Sequence, residues 1–241
     1  MDWNQIVKPI MAGLKKHEPF PWPRTDAGRL KIIGTLQELL PNDDIPKACL
    51  GLSNEAMNRR LRELISPYLK SSDQELTAQL AIWIVKQWGG IHRGTNSIPK
   101  WCRDLSGFNH KAVASFVSQI GIARISSWSK IIAFAEPTTY AIYDARTTIA
   151  INCRLHDIGY REGFFMPTGR NTHVEPAARL LKQTNFKEVF GYRNYLDLIG
   201  EISREDAYAD ILGVEMDLFT NAPLIASTFV TKTQTISFAS R

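Results

Sequence analysis

Asp144 stands directly after an apolar run, Tyr140-Ala141-Ile142-Tyr143, and directly before a helix-forming stretch. A carboxylate in that place has two chemical uses. As an ordinary N-cap it accepts hydrogen bonds from the first amides of the helix. Beside a reacting centre it stabilises developing positive charge and orients or deprotonates water. Upstream, Gly121-Ile122-Ala123 separates two apolar-periodic segments. Gly121 is free to take a positive φ, and Ala123 is small enough for a phosphate to approach the backbone. Near Ser126 the second segment begins, and the first amides of a helix favour an anion. Arg124 and Lys130 add charge, and Arg146 either holds a phosphate or makes a surface ion pair. Together these are the parts of a clamp that grips nucleic-acid backbone without reading bases. The same turn equally suits a plain helical hairpin buried in a core.

A second cluster, Trp88-Gly89-Gly90-Ile91-His92-Arg93-Gly94, puts three glycines around a His and an Arg. Trp88, His92 and Arg93 are of the types that a base flipped from a duplex needs, a planar stacking partner and polar groups for its edge. The alternative is a helix C-cap with Trp88 in the core. Both clusters fall in one basic segment. Residues 86–130 hold seven Lys and Arg against Asp104 alone, a net +6, so the rest of the +5 chain sums to −1. From Glu188 to Asp217 eight acids face Arg193 and Arg204. The basic face therefore belongs to one stretch of chain, which fits a polyanionic partner or an ordinary solvated surface.

The elements that must position these residues read as helices. Apolar spacing predicts helices over 28–40, 54–69 with Ser53 as N-cap, 74–88 ending at Gly89-Gly90, 109–120, 126–134 and 144–155. Further helices are expected over 176–181, over 186–202 with an interruption near Gly191, and over 203–219. Residues 89–107 and 161–172 read as irregular, and the Ser/Thr-rich tail 227–241 as a frayed end or a lone strand. The expected fold class is all-α, a single unit over 1–241. Cys49, Cys102 and Cys153 are odd in number and form no CxxC pair, so no metal site or cluster is expected and a reducing cytoplasm fits. No apolar run is long enough for a bilayer, and the first residues do not read as a signal peptide.

Taken in order, the turn Gly121-Ile122-Ala123, the helix Trp128-Ser129-Lys130-Ile131-Ile132-Ala133-Phe134, Pro137, and then Tyr143-Asp144-Ala145-Arg146 resemble the signature of the helix-hairpin-helix DNA glycosylase superfamily. The phrasing is most similar to the small bacterial proteins described as 8-oxoguanine-glycosylase-like. The likeness spans about 35 residues and is architectural elsewhere. It departs in lacking the hairpin proline and in having Ala123 for a second glycine. The resemblance implies two helical lobes around a base-binding cleft, duplex DNA with a flipped base as partner, no cofactor and no obligate protein partner. It implies Asp144 as the catalytic carboxylate, backbone contacts from Gly121, Ala123, Arg124, Ser126 and Arg146, and base contacts from Trp88, His92 and Arg93. Members that also nick the strand carry a lysine nucleophile just after the hairpin. Ile125 or Ser126 stands there, with Lys130 one turn further on, so a monofunctional hydrolase is expected with Lys130 acting electrostatically or structurally. The substrate implied is an oxidised purine or, for a phage-defence member, a hypermodified base such as glucosylated 5-hydroxymethylcytosine. A non-catalytic helix-hairpin-helix DNA-binding protein is the alternative. A metal-dependent nuclease is disfavoured, because Asp104 and Glu136 are the only acids between Lys86 and Asp144.

Overall fold

The computed structural model describes residues 3–12, 14, 20–167, 171–205, 208 and 210–239. Its twelve α-helices in chain order are α1 Asn4–Met11, α2 Asp26–Leu39, α3 Ile45–Cys49, α4 Asn54–Leu69, α5 Gln74–Trp83, α6 Ile98–Asp104, α7 His110–Ile120, α8 Ile125–Ala135, α9 Ala145–Asp157, α10 Glu175–Gln183, α11 Tyr192–Ser203 and α12 Ile211–Ala239. Two short strands, β1 Glu162–Phe164 and β2 Lys187–Phe190, pair in parallel. The protein is thus mostly helical. The chain divides into a central unit, Pro19–Ile142, and a terminal unit made of Met1–Glu18 with Tyr143–Arg241.

In the central unit the helix starts follow the capping residues. The Thr25 hydroxyl accepts from Gly28 N–H at 3.0 Å, Ser53 from Ala56 at 3.2 Å and Asp73 from Leu76 at 3.0 Å. Each such cap contributes about 1 kcal/mol. The expected 74–88 helix is corrected in its last turn. α5 stops at Trp83, and Ile84–Trp88 forms a π turn in which Gly89 N–H reaches back five residues to Ile84 O at 2.8 Å. A Cβ on Gly89 would come within 2.9 Å of the Ile84 and Val85 carbonyls, so only glycine closes this turn. The supposedly irregular 89–107 stretch contains α6. Pro99 suits its first turn, and Ile98, Trp101 and Cys102 bury one face. α8 is buried on every side from Ser127 to Ala135 and is the central helix of its unit, with the Ser66 hydroxyl of α4 donating to Ala135 O at 2.6 Å.

The terminal unit is organised on α9 and α12, with α1 packed on α9 and α11. Three expectations are corrected here. The 161–172 loop holds β1, and the first part of 186–202 is strand β2, not helix. Asn152 of α9 makes the pair possible. Its side chain donates to Phe164 O and accepts from Phe164 N–H, both at 2.8 Å, taking over ladder bonds of a very short strand. A Cβ on Gly163 would meet the Phe186 ring at 2.4 Å and Asn152 Oδ1 at 2.5 Å, so a glycine is required between them. Residues 203–219 are not one helix: α11 ends at Ser203 and α12 begins at Ile211. The tail is neither frayed nor a strand but continues α12 to Ala239. Its hydroxyls are satisfied along the helix, Thr231 donating to Ser227 O, Thr233 to Phe229 O and Thr235 to Thr231 O at 2.9–3.1 Å, while Phe229, Ala226 and Ala222 are buried. Residues 168–170 of the expected loop and 240–241 of the tail lie outside the described residues.

Candidate functional site

The hairpin of the central unit is α7, an exposed four-residue turn Gly121–Arg124, and α8. Gly121 has φ +58 and ψ −137, a region essentially closed to residues with a Cβ. Arg124 follows in the left-handed region at φ +56 and opens α8 without any side-chain cap. The amides of Ala123, Ile125 and Ser127 bond to carbonyls three residues back, at 3.3, 3.2 and 2.8 Å. Those of Ile122, Arg124 and Ser126 take no hydrogen-bond partner among the described residues. The first turn of α8 carries no acidic residue. This leaves a set of amides at the positive end of a helix dipole, open to an anion. The turn is braced from within by Trp128, whose indole N–H donates to Ala123 O at 2.9 Å. Trp128 rests edge-on against Phe116 of α7 at 5.9 Å, and Phe116 against Trp101 of α6 at 6.3 Å.

The structure brings the second sequence cluster, 88–94, to this hairpin. The Arg124 guanidinium donates to Arg93 O at 3.2 Å, lies over the Trp101 ring at 5.0 Å, and fills the space where a Cβ of Gly94 would stand. His92 and Arg93 are exposed. Lys130 runs its stem against Gly89 and donates from Nζ to Ser126 O at 2.9 Å, with only 6% of the residue exposed. Trp88, expected to stack on a base, is corrected to a core residue. It is 6% exposed, its indole N–H donates to Asn58 Oδ1 at 2.6 Å, Phe134 meets it edge-on at 4.9 Å, and Arg62 lies 6.0 Å from its ring. Its sequence position at a helix end was compatible with both places. The buried Asn58, which also bonds Trp22 O and Asn54 O, decided for the core. Part of the basic charge is spent locally, since Lys100 pairs with Asp104 at 2.5 Å.

Asp144 belongs to the terminal unit and is the N-cap of α9, in extended backbone. Its Oδ1 accepts from Arg146 N–H at 2.9 Å and Thr147 N–H at 3.1 Å. Thr147 Oγ1 in turn lies 3.3 Å from the Asp144 amide, which donates to it, and so closes a capping box. The Thr148 hydroxyl donates to Asp144 O at 2.7 Å. The side chain is half-buried, and the capping bonds all use Oδ1, leaving Oδ2 outside them. Behind the cap is a wall of tyrosines. Tyr143 packs edge-on against Tyr195 at 4.9 Å and donates to Phe165 O at 2.7 Å. Burial, then the nearby Glu215 carboxylate, hold the Tyr195 hydroxyl well above the ordinary tyrosine range, against a bond to Thr147 that lowers it. Arg146, expected to hold a phosphate or to make a surface ion pair, is 8% exposed and lies over Phe219 at 4.5 Å.

The sequence reading had missed Trp101 and Trp128 as braces and Thr147 as the partner of Asp144. Two of these had a signal: Trp128 lies one helical turn past the start of α8, and Thr147 stands three residues after its cap. Among the described residues, no group of three His, Cys, Asp or Glu is placed to hold a metal ion, and no helix is long and apolar enough to cross a membrane. The three cysteines are free and buried, and burial pushes the Cys102 thiol up to about 12. In comparisons with protein-family models, curated proteins and solved structures, the chain has no match.

Proposed function

We propose that this chain is a DNA glycosylase of the helix-hairpin-helix kind, hydrolysing the N-glycosidic bond of a damaged or modified base to leave an abasic site. The observation that carries the reading is Asp144: a carboxylate pinned through Oδ1 by two helix amides, with Oδ2 outside those bonds, twenty residues along the chain from the end of an uncapped, exposed hairpin turn. Cleavage of the bond to the base leaves positive charge on the sugar. A fixed carboxylate stabilises that charge without reorganising, and takes a proton from the water that adds to the sugar carbon as the base departs. The hairpin amides serve a backbone phosphate in this scheme. Lys130 Nζ, bonded to Ser126 O and buried, acts structurally, which supports an abasic strand left unbroken.

The experiment is base release from duplexes carrying an oxidised purine and, separately, from DNA bearing glucosylated 5-hydroxymethylcytosine, read as abasic sites. Asp144→Asn is the decisive variant, because asparagine caps a helix about as well as aspartate but carries no charge. Base release by wild type that falls on the order of a hundred-fold or more in Asp144→Asn, with unchanged thermal unfolding, is the expected result. Unchanged release in that variant overturns the reading. The completeness of the Asp144 capping box is the observation favouring a non-catalytic DNA-binding protein, for which wild type binds duplex and releases no base. Borohydride trapping of a protein–DNA adduct, lost in Lys130→Ala, would return Lys130 to the role of nucleophile.

A further inference from the structure

We infer that Arg124 is a positioning residue rather than a phosphate ligand: it brackets the 89–94 loop to the hairpin turn, so that Arg93, beside the exposed His92, presents the charge that meets DNA backbone next to the turn. The inference rests on the glycosylase reading for its partner, and on the central unit alone for its geometry. Three observations converge on the guanidinium. One of its N–H groups is committed to Arg93 O at 3.2 Å. Its Cζ lies over the Trp101 ring, 5.0 Å from the centroid, a contact in which the planar guanidinium differs from a lysine ammonium. Its Nη and Cζ atoms lie 2.4–2.7 Å from where a Cβ of Gly94 would be. Gly94 itself has φ +69, so the loop needs glycine there twice over, for its backbone conformation and to admit the guanidinium.

The backbone of Arg124 explains why this side chain reaches the loop. A left-handed residue at the start of α8 departs from the helix path. Across the bracket, the loop side chains His92 and Arg93 stay exposed, as do Ile122 and Ala123 of the turn. The π turn at Ile84–Trp88 and the Lys130 stem against Gly89 fix the other end of the loop. The loop is therefore held at both ends to the hairpin, and the two together form one surface. Arg93 and Arg124 are both exposed on it, but the Arg124 guanidinium is engaged with Arg93 O and the Trp101 ring.

The test measures duplex binding by fluorescence anisotropy over a range of salt, with amide hydrogen exchange on the protein alone. Each phosphate contact contributes about 0.9 to the log–log salt slope. Arg124→Met and Arg124→Lys should both weaken binding several-fold with the slope unchanged, and both should speed exchange of the 89–94 amides. Gly94→Ala, which displaces the guanidinium without touching the charge, should do the same. Arg93→Ala should lower the slope by about one contact and leave exchange in the loop near wild type. A slope lowered by Arg124→Met, full rescue by Arg124→Lys, or unchanged loop exchange would each overturn the inference. Failure of wild type to bind duplex at all would instead remove the proposed function and with it the partner assigned to this surface, while exchange in the variants still decides the bracket.

Discussion

α8 and α9 begin in opposite ways. α8 opens on a left-handed arginine with no side-chain cap, in an exposed turn with unpartnered amides. α9 opens on an aspartate that satisfies two amides and has its own amide satisfied in return. A folded protein gains about 1 kcal/mol from each cap, so an exposed, uncapped start forgoes stability that an Asn or Ser would supply. Such a start is suited to receive an anion from outside, whereas a closed one is suited to hold its own carboxylate still. The difference is one between a site that binds and a site that orients.

The contrast can be broken from either side. The largest effect is expected at Gly121. Valine there must adopt φ +58 with ψ −137, at a cost of about 1–3 kcal/mol, although no neighbouring atom lies within 4 Å of the new Cβ. Gly121→Val should lose most duplex binding by anisotropy and unfold at lower denaturant. Wild-type affinity in that variant would remove the turn from the interface. A smaller effect is expected from Thr147→Val, which keeps the shape but deletes the hydroxyl that receives the Asp144 amide. The loss should be about 1 kcal/mol of stability, with base release falling several-fold and duplex affinity unchanged. If release is unaffected, the box does not hold the carboxylate for chemistry.

The smallest effect sharpens the comparison at the other end of α9. His156 has a buried Nε2 with no hydrogen-bond partner among the described residues, and burial, then Arg161 and Lys232, push its pKa below the ordinary value against the opposing pull of Asp157. The folded state therefore disfavours the charged ring. Its stabilising contribution is complete above the unfolded pKa of about 6.5 and declines as pH falls through that value towards the lower folded one. His156→Gln should flatten the decline of the unfolding midpoint between about pH 7 and pH 5. An identical pH profile in the variant would place the acid sensitivity elsewhere.

Where periodicity and capping chemistry act locally, the sequence was readable. The 54–69 helix with Ser53 as its cap, the hairpin around Gly121, and Asp144 at the head of α9 all follow from residues within a turn or two of one another. What was not readable depended on distant partners. β1 and β2 are only three and four residues long, and Asn152 on another element supplies bonds that a longer ladder would supply itself. The tail looked strand-like because threonine favours strands, yet its hydroxyls bond carbonyls one turn back and Phe229 anchors the helix. The fate of Trp88 turned on Asn58, thirty residues away, and that of Arg124 on Gly94 and Trp101. Within the candidate site, residue types were legible, but which arginine faces solvent was not.

The division of the chain also sets an order of assembly. Residues 19–142 are one uninterrupted stretch, whereas α1 finds its neighbours α9 and α11 only after that whole stretch has been made. During synthesis, a contiguous unit can acquire its core while the far segment is still being added, whereas docking α1 must close a loop over the whole of that unit. Trp3, stacked on Phe164 at 5.7 Å and edge-on to Phe190 at 5.5 Å, is then among the last aromatic rings to leave water. Until that moment, Ile6, Val7 and Ile10 on the apolar side of α1 have no core to cover them.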